Sequence, residues 1–178
     1  MTRWLLWLLA GILLGGVIHL STVLALPRTA THDAYARLQA ITPVNKMVSL
    51  PASNPSVMPF MDPAFATAVC RYDLSAGPLK LTAPVSQAYT AVSFYTRYDI
   101  AYYAINDRAA GRKVIELDLM TTEQHEQMPE EEDVTAADRL IVESPTRTGL
   151  IVLKAFSSEP ALMSMAENAL AAAQCKTQ

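Results

Sequence analysis

Residues that could carry out catalysis are scarce in this sequence. It has three histidines, and none falls in a segment with a β-strand pattern: His19 lies in a long apolar run, His32 follows that run, and His125 lies in a short helical segment. A triad would have to recruit His125, and no serine sits in a Gly-x-Ser-x-Gly elbow. Two metal ligands on one helix must share a face, and the spacing of Glu123 and Glu126 from His125 does not place either of them on the same face as His125. We therefore expect no metal and no cofactor, and we rank a hydrolase as the last of three functional hypotheses.

Positive charge is also in short supply outside the apolar run. After Arg28 the chain has 12 lysines and arginines against 17 aspartates and glutamates, a net charge of −5. Nucleic-acid binding requires basic surface to neutralise phosphates, so a nucleic acid is not an expected partner. About 150 residues remain after the run, which is the size of one ordinary domain with a core of its own.

Charge is entirely absent from residues Trp4 to Leu26, which are bounded by Arg3 and Pro27-Arg28. These 23 residues would form a helix of roughly 34 Å, long enough to cross a hydrocarbon core of about 30 Å. A cleaved secretion signal with a site after Ala25 is the second interpretation, because the apolar part of such signals normally ends sooner. The sequence predicts an uncleaved anchor over residues 1–28 that contacts the membrane through residues 4–26.

The orientation of this span rests on conflicting signals. Arg28, Arg37 and Lys46 follow the span and only Arg3 precedes it, which by the positive-inside rule favours a cytoplasmic C-terminal part. We give more weight to the two cysteines and the acidic remainder, which suit an oxidising compartment. We therefore expect a single-pass protein of the bacterial inner membrane with a periplasmic C-terminal domain.

One stripe of the span is suited to contact with another helix. Gly11, Gly15 and His19 recur at every fourth residue, so they share one face. Small residues let two helix backbones approach closely, and an imidazole inside a bilayer needs a hydrogen-bond partner. The alternative, that glycine is merely common in spans and His19 reaches interfacial water, carries equal weight here.

Residues 29–63 are predicted to be a stalk and a linker. Ala34, Leu38 and Ile41 have helical spacing, and Pro43 would end that helix. Four prolines at every fourth position between residues 51 and 63 prevent a regular helix or a central strand, which favours an extended connector or a strap laid on the domain.

Residues 64–178 are predicted to form a mainly β domain, an antiparallel β-sandwich or jelly-roll-like fold with a C-terminal helix. Ile115, Leu117 and Leu119 alternate with polar residues, as in a strand with one wet face. Short β-rich runs separated by turn residues, without long helices between them, argue for antiparallel sheets. Seven strands are predicted: Thr67–Leu74, Leu79–Pro84, Tyr89–Thr96, Ala101–Asn106, Lys113–Met120, Arg139–Glu143 and Leu150–Phe156.

Two helices interrupt or follow the strands. Thr121 and Gln124 have the spacing of a capping box, which predicts a short helix through Gln127. Ser157 or Ser158 is predicted to cap a terminal helix that packs on the sheet and ends near Cys175. Cys70 lies in the first predicted strand of the domain, and in an oxidising compartment we expect a disulfide between Cys70 and Cys175.

The triplet Arg-Tyr-Asp occurs twice, at residues 71–73 and 97–99. Arg71, Tyr72, Arg97 and Tyr98 are therefore candidates for binding an anionic ligand, because arginine and tyrosine side chains at strand ends can donate to carboxylates and phosphates. A structural role for both triplets is more strongly favoured. Arginine and aspartate two residues apart in a strand share a face and can form a surface ion pair, and the second triplet lies where a hairpin turn is expected.

Three ordered stretches, residues 70–84, 88–95 and 141–152, resemble the membrane-anchored branch of the domain-of-unknown-function family 1254. The resemblance implies a cell-envelope β-sandwich without assigned chemistry. It also implies a protein partner, because longer relatives continue into a companion domain of unknown function, numbered 1214.

The leading hypothesis is a non-catalytic envelope subunit that docks on a membrane partner. The second is a sandwich that binds a small molecule or a lipid, which a deep apolar pocket between the sheets would favour.

Overall fold

A computed structural model describes residues 2–29, 33–51, 58–110, 113–128 and 140–178 of the chain. The chain divides into two compact units, one up to residue 31 and one from residue 32 to the C-terminus. The acidic residues 130–133, His32 and the middle of the proline-rich segment lie outside the described residues.

The first unit is a single helix, α1 (Thr2–Thr29), whose side chains are almost all exposed. Its 28 residues correspond to about 42 Å. By length and composition it is able to cross a membrane, properties that an anchor and a secretion signal share. Pro27 lies inside the last turn and is followed by Arg28, so the helix continues slightly past the predicted span.

The second unit has two β-sheets. Five strands, in the order β1-β2-β8-β4-β5, form sheet A, in which every neighbouring pair is antiparallel. Four strands, in the order β7-β6-β3-β9, form sheet B. Strand bounds are β1 (Met47–Leu50), β2 (Phe65–Asp73), β3 (Leu79–Pro84), β4 (Tyr89–Thr96), β5 (Ala101–Asn106), β6 (Val114–Thr121), β7 (Leu140–Ser144), β8 (Thr148–Phe156) and β9 (Gln174–Thr177).

Short helices connect or flank these strands. They are α2 (Ala34–Gln39), α3 (Asp107–Ala110), α4 (Thr122–Glu126), a 3-10 turn (Pro160–Leu162) and α5 (Met163–Ala171). Ala166 and Leu170 of α5 are buried in the main core, and α5 packs against β1, β2, β3 and β8.

The main core lies between the two sheets and is filled by inward-facing side chains that alternate along each strand. Burying one such leucine or phenylalanine stabilises the fold by about 1.5–3 kcal/mol. The side chains in the middle of this core are Leu79 and Leu81 of β3, Val92 and Phe94 of β4, Ile115, Leu117 and Leu119 of β6, and Ile151 and Leu153 of β8.

The structure confirms the mainly β sandwich with an N-terminal helix and a short C-terminal helix. All seven predicted strands are present; three have the predicted bounds, and the ends of the other four differ by at most two residues. Arg139, the predicted first residue of β7, lies outside the described residues. Strands β1 and β9 were not predicted, because each has only four residues; β1 directly precedes the proline-rich segment, and β9 follows the alanine-rich helix α5.

Three details of the prediction were wrong. Strands β6 and β7 pair in parallel, because residues 122–139 between them are long enough for a crossover connection. Asp118 is buried rather than solvated, and its Oδ1 accepts a hydrogen bond from Gln178 Nε2 over 2.7 Å. Neither serine caps the terminal helix: the Ser157 hydroxyl donates to the Glu159 carbonyl, and the chain makes a 3-10 turn before α5.

The capping box at Thr121 is confirmed. Thr121 Oγ1 accepts from the Gln124 backbone N–H, and Gln124 Oε1 accepts from the Thr121 N–H over 2.9 Å. The helix α4 ends at Glu126, with Gln127 as its C-cap.

Residues 33–51 belong to the β unit rather than to a stalk. Helix α2 packs on β2, and β1 pairs with β2 from Met47↔Cys70 to Leu50↔Thr67. Ala34 and Leu38 lie in a helix, as their spacing predicted. The face of this helix that contains Leu38 is buried against sheet A.

Candidate functional site

The outer face of sheet A, which points away from the main core, carries a second apolar cluster. Val69 of β2 and Leu150 of β8 form its centre, and Tyr35 and Leu38 of α2 together with Leu50 of β1 cover it. All five side chains are buried. The apolar outer face accounts for the near-continuous burial of β2 between Ala66 and Cys70, which an alternating strand would not show.

A cleft of about 370 Å³ opens beside this cluster. Its floor is the outer face of β2 and β8, and its walls are α2 and residues 58–62, which we call the strap. Three charged side chains also line it: Asp62, Asp99 and Lys154. This volume lies within the range of pockets that bind small molecules.

Two carboxylates hold the N-terminus of α2 on the β4–β5 turn. Asp33 caps the helix by accepting from the Ala36 N–H over 2.7 Å, and Asp99 Oδ2 accepts from the Ala34 N–H over 3.0 Å. Arg97 Nη1 binds Asp33 Oδ2 at 2.9 Å, and its guanidinium lies 4.2 Å from the Tyr35 ring centroid. The contacts of Asp33, Arg97 and Asp99 therefore hold α2, which is one wall of the cleft, in place.

Burial raises the pKa of the Asp99 carboxyl above its usual value, and the negative charge of Asp33 adds to this. The backbone N–H groups of Ala34 and Tyr35 and the charge of Arg97 act in the opposite direction. Asp99 itself has φ of 58°, a left-handed conformation that aspartate tolerates in tight turns.

The structure separates the four predicted binding residues. The guanidinium groups of Arg71 and Arg97 both lie over the Tyr35 ring, and that of Arg71 is 5.9 Å from the ring centroid. Arg71 Nε donates to the Thr42 carbonyl. Tyr72 points into the main core, and Tyr98 is exposed in the predicted hairpin turn. These four side chains do not form one pocket, and anion binding by any of them stays a prediction.

Tyr72 lies in a buried cluster of hydroxyl groups. Its Oη is 2.9 Å from Ser144 Oγ and 3.2 Å from both the Tyr102 Oη and the Tyr95 carbonyl oxygen. Burial raises the pKa of Tyr102, with the neighbouring Tyr72 as a second cause. The donors and acceptors satisfy one another, so the cluster is a structural element of the core rather than a reactive centre.

His125 forms a hydrogen-bonded pair with Glu143. Its Nδ1 lies 2.7 Å from Glu143 Oε1, and Thr122 Oγ1 donates to Glu143 Oε2 over 2.9 Å. The hydrogen bond from His125, followed by that from Thr122, lowers the pKa of Glu143. His125 does not line the cleft on sheet A, and the described residues contain no group of three or more potential metal ligands.

The structure joins Cys70 and Cys175 in a disulfide, as the sequence predicted. Because Cys70 lies in β2 of sheet A and Cys175 in β9 of sheet B, the bond connects the two sheets over a Cα–Cα distance of 6.5 Å. The prediction placed Cys175 at the end of a helix, but the helix ends at Ala171.

Other predicted positions are less constrained by the structure. Gly11, Gly15 and His19 lie exposed on α1, so their role in helix packing stays a prediction.

A second cleft, of about 220 Å³, lies between the turn at residues 85–88 and α5. It is an open groove without charged lining residues.

The cleft itself was missed by sequence reasoning. Its walls, α2 and the strap, lie in the stretch predicted as stalk and linker. The helical spacing of Ala34 and Leu38 was a usable signal, but it does not reveal which surface the helix packs on. The alternative of a strap laid on the domain agrees with the placement of Met58 and Met61 against the second cluster.

The fold and the cleft define a disulfide-linked β-sandwich with a covered outer face. A protein-family model described as "Protein of unknown function (DUF1254)" matches residues 44–177. The chain therefore belongs to this family. No curated protein matches the chain.

Two solved structures share the fold. One is the VPA0106 protein from Vibrio parahaemolyticus, with a TM-score of 0.60, 13% identity and coverage of 81% of this chain and 34% of the other. The second is an uncharacterized protein from Burkholderia cenocepacia, with a TM-score of 0.52, 13% identity and coverage of 80% and 36%. The chain spans about a third of the length of each.

Proposed function

We propose that this protein is a non-catalytic module of the bacterial cell envelope, held in the inner membrane by α1, which docks its periplasmic β unit on a membrane partner. The partner would carry the companion domain of unknown function 1214 that the family resemblance implies. The observation that carries the proposal is that this fold occupies about a third of two longer solved chains, so elsewhere it is joined to further structure.

Three further features support this function. The helix α1 has the length and composition of an anchor, and the disulfide suits an oxidising compartment. Gly11 and Gly15 would give a partner helix close access to the α1 backbone, with His19 as a polar contact. Contacts in the bilayer and outside it on one tether would reinforce each other through effective concentration.

The test is recovery of the partner from native membranes in mild detergent. Replacement of Gly11 and Gly15 by isoleucine should reduce the recovery, since bulky side chains keep helix backbones apart. The double variant Leu13→Ile with Val17→Ile is the matched control, because these two residues have the same spacing on the opposite face of the helix. Equal recovery from all variants would remove the role of the stripe, and absence of any partner would contradict the proposed function.

A fusion at the C-terminus tests the location independently. A reporter that is active only after export should be active, and a reporter that works only in the cytoplasm should be silent. The reverse pattern would show that the basic residues after the span determine the orientation.

A further inference from the structure

The turn between β4 and β5, at residues 97–100, has two sides of different chemistry. Arg97 and Asp99 point toward α2 and hold its N-terminus. Tyr98 and Ile100 alternate with them and are exposed, with 40% and 48% of their surface accessible. Tight turns are normally occupied by glycine and small polar residues. The turn itself therefore does not account for an exposed tyrosine and an exposed isoleucine.

The backbone of this turn is held in place by Thr96. Its Oγ1 accepts from the N–H groups of Tyr98 and Ile100, each over 3.2 Å. Its own N–H donates to the Ile100 carbonyl over 2.9 Å. Both exposed side chains are thus presented by a fixed backbone, so little conformational entropy is lost when they contact a partner.

The chain that joins this turn to α1 is short. Helix α1 ends at Thr29 and Asp33 is the N-cap of α2, so four residue steps separate them, which extend over at most about 14 Å. Arg97 binds Asp33 at 2.9 Å, so the β4–β5 turn lies at the end of this connection, whatever the angle between the two units. With α1 in a bilayer, the turn can reach the headgroup layer, which is about 5–7 Å thick on each side of the hydrocarbon core.

The opposite end of β4 offers a reference surface. Leu162 and Met165 are exposed to the same degree, by 41% and 47%, and they line the second cleft beside the turn at residues 85–88. Strand β4 has eight residues, so about 24 Å separate its two ends. Contact with a planar surface at the β4–β5 turn would therefore leave these two side chains in water.

We propose that the β4–β5 turn docks on the surface of the bilayer that holds α1, with Tyr98 and Ile100 inserted at the level of the lipid headgroups. A tyrosine suits this layer because its ring is apolar and its hydroxyl stays hydrated. The exposed pair of Arg147 and Glu123, in loops at the same end of the sandwich, limits the insertion to a shallow depth.

This docking rests on the membrane anchor of the proposed function and adds an orientation to it. The β unit would be held against the bilayer by two attachments, the covalent tether and the turn. Two attachments restrict the volume that the unit explores, which raises its effective concentration near a membrane partner.

Quenching of tryptophan fluorescence by brominated lipid measures the contact. The full-length protein with Trp4→Phe, Trp7→Phe and Tyr98→Trp has a single tryptophan. In nanodiscs of phosphatidylcholine brominated near the headgroup end of one acyl chain, its emission should lose intensity and shift to shorter wavelength, relative to the same lipid without bromine. Leu162→Trp, made in place of Tyr98→Trp in the same background, is the matched control and should not be quenched.

A second pair of variants tests the contribution of the isoleucine. Ile100→Ser, added to the protein with Tyr98→Trp, should lower the ratio of docked to undocked protein about four- to fifteenfold, as expected when one or two methylene groups are no longer removed from water. The measured change is a loss of quenching. Met165→Ser, at the opposite end of β4, should leave quenching unchanged.

The wild type reports the anchor separately, because its Trp4 and Trp7 both lie in α1. Quenching of the wild type without quenching at position 98 would overturn the docking and leave the anchor intact, whereas absence of quenching in both would contradict the anchor as well. Equal quenching at positions 98 and 162 would also overturn the proposal. Benzoylphenylalanine in place of Tyr98 should cross-link to lipid in native membranes, and cross-links to protein alone would make the turn a protein interface instead.

Discussion

At the scale of single residues, Gly149 is a position where the neighbouring atoms leave no room for a side chain. It lies in β8 opposite Tyr72 of β2 and Thr96 of β4. A Cβ atom placed there would overlap the Tyr95 carbonyl oxygen and the Tyr72 hydroxyl. Glycine normally weakens a strand, so its presence here is explained by the space that the hydroxyl cluster needs.

Gly149→Ala should therefore destabilise the protein, by about 1–3 kcal/mol as in other overpacked cores. Tyr72→Phe removes the hydroxyl oxygen, one of the three atoms that the new methyl group meets, so the double variant should lose less than the two single losses together. Urea unfolding of all three variants in the same detergent measures this coupling. Additive losses would show that the Tyr72 hydroxyl does not limit the site.

Asp99 provides a test of charge at the α2 N-terminus. Because its pKa is raised in the folded state, the stability it contributes is present at acidic pH and is lost as the pH rises through the folded pKa. The stability of the wild type relative to Asp99→Asn should therefore fall as the pH rises above about 4, the ordinary pKa of an aspartate. Urea unfolding at each pH measures the difference.

Asp73→Asn is the control with the opposite sign. Hydrogen bonds from Ser75 lower the pKa of Asp73, so its contribution is present above the unfolded pKa and is lost as the pH falls. Curves of the same sign for both variants would contradict the assignment.

At the scale of elements, α2 is the part of the fold that depends most on a few polar contacts. It has six residues, too few to be stable alone in water. Tyr35 and Leu38 supply its apolar contact with sheet A, and Asp33, Arg97 and Asp99 set its position. The β4–β5 turn thus holds α2, which is one wall of the cleft, in position.

Asp33→Ala removes both the helix cap and the partner of Arg97, and loss of a cap costs about 0.5–2 kcal/mol. We expect faster backbone hydrogen exchange over residues 33–42 with little change in the main core. Gln39→Ala, at an exposed position in the same helix, should leave exchange unchanged. Equal protection in all three proteins would show that apolar packing alone holds α2.

At the scale of the whole molecule, the disulfide is the covalent link between the two sheets. Cys70 and Cys175 are 105 residues apart, both are buried, and β9 is otherwise held on sheet B by its pairing with β3. In the chain-entropy model, closing a loop of about 100 residues stabilises a fold by about 4.7 kcal/mol. The bond also keeps the end of the chain on the sandwich.

The variant with Cys70→Ala and Cys175→Ala should lose about 2–5 kcal/mol, measured by urea unfolding without reductant. Cys175→Ala alone should lose a similar amount, because either substitution breaks the bond. Non-reducing mass mapping of protein from native membranes should find the linked peptides. Two free thiols would contradict both the bond and the periplasmic location.

The sequence by itself determined the features that depend on local order. An uncharged run of 23 residues predicts a membrane-length helix, alternation predicts β6, and the spacing of Thr121 and Gln124 predicts the cap of α4, because each pattern repeats within a few residues. Only the tertiary structure decided the pairing of β6 with β7, the strands β1 and β9, and the burial of Asp118. It also decided that α2 and the strap cover sheet A. These features depend on contacts between residues distant in sequence, and short segments such as β9 gain their stability from the neighbour they pair with rather than from their own composition.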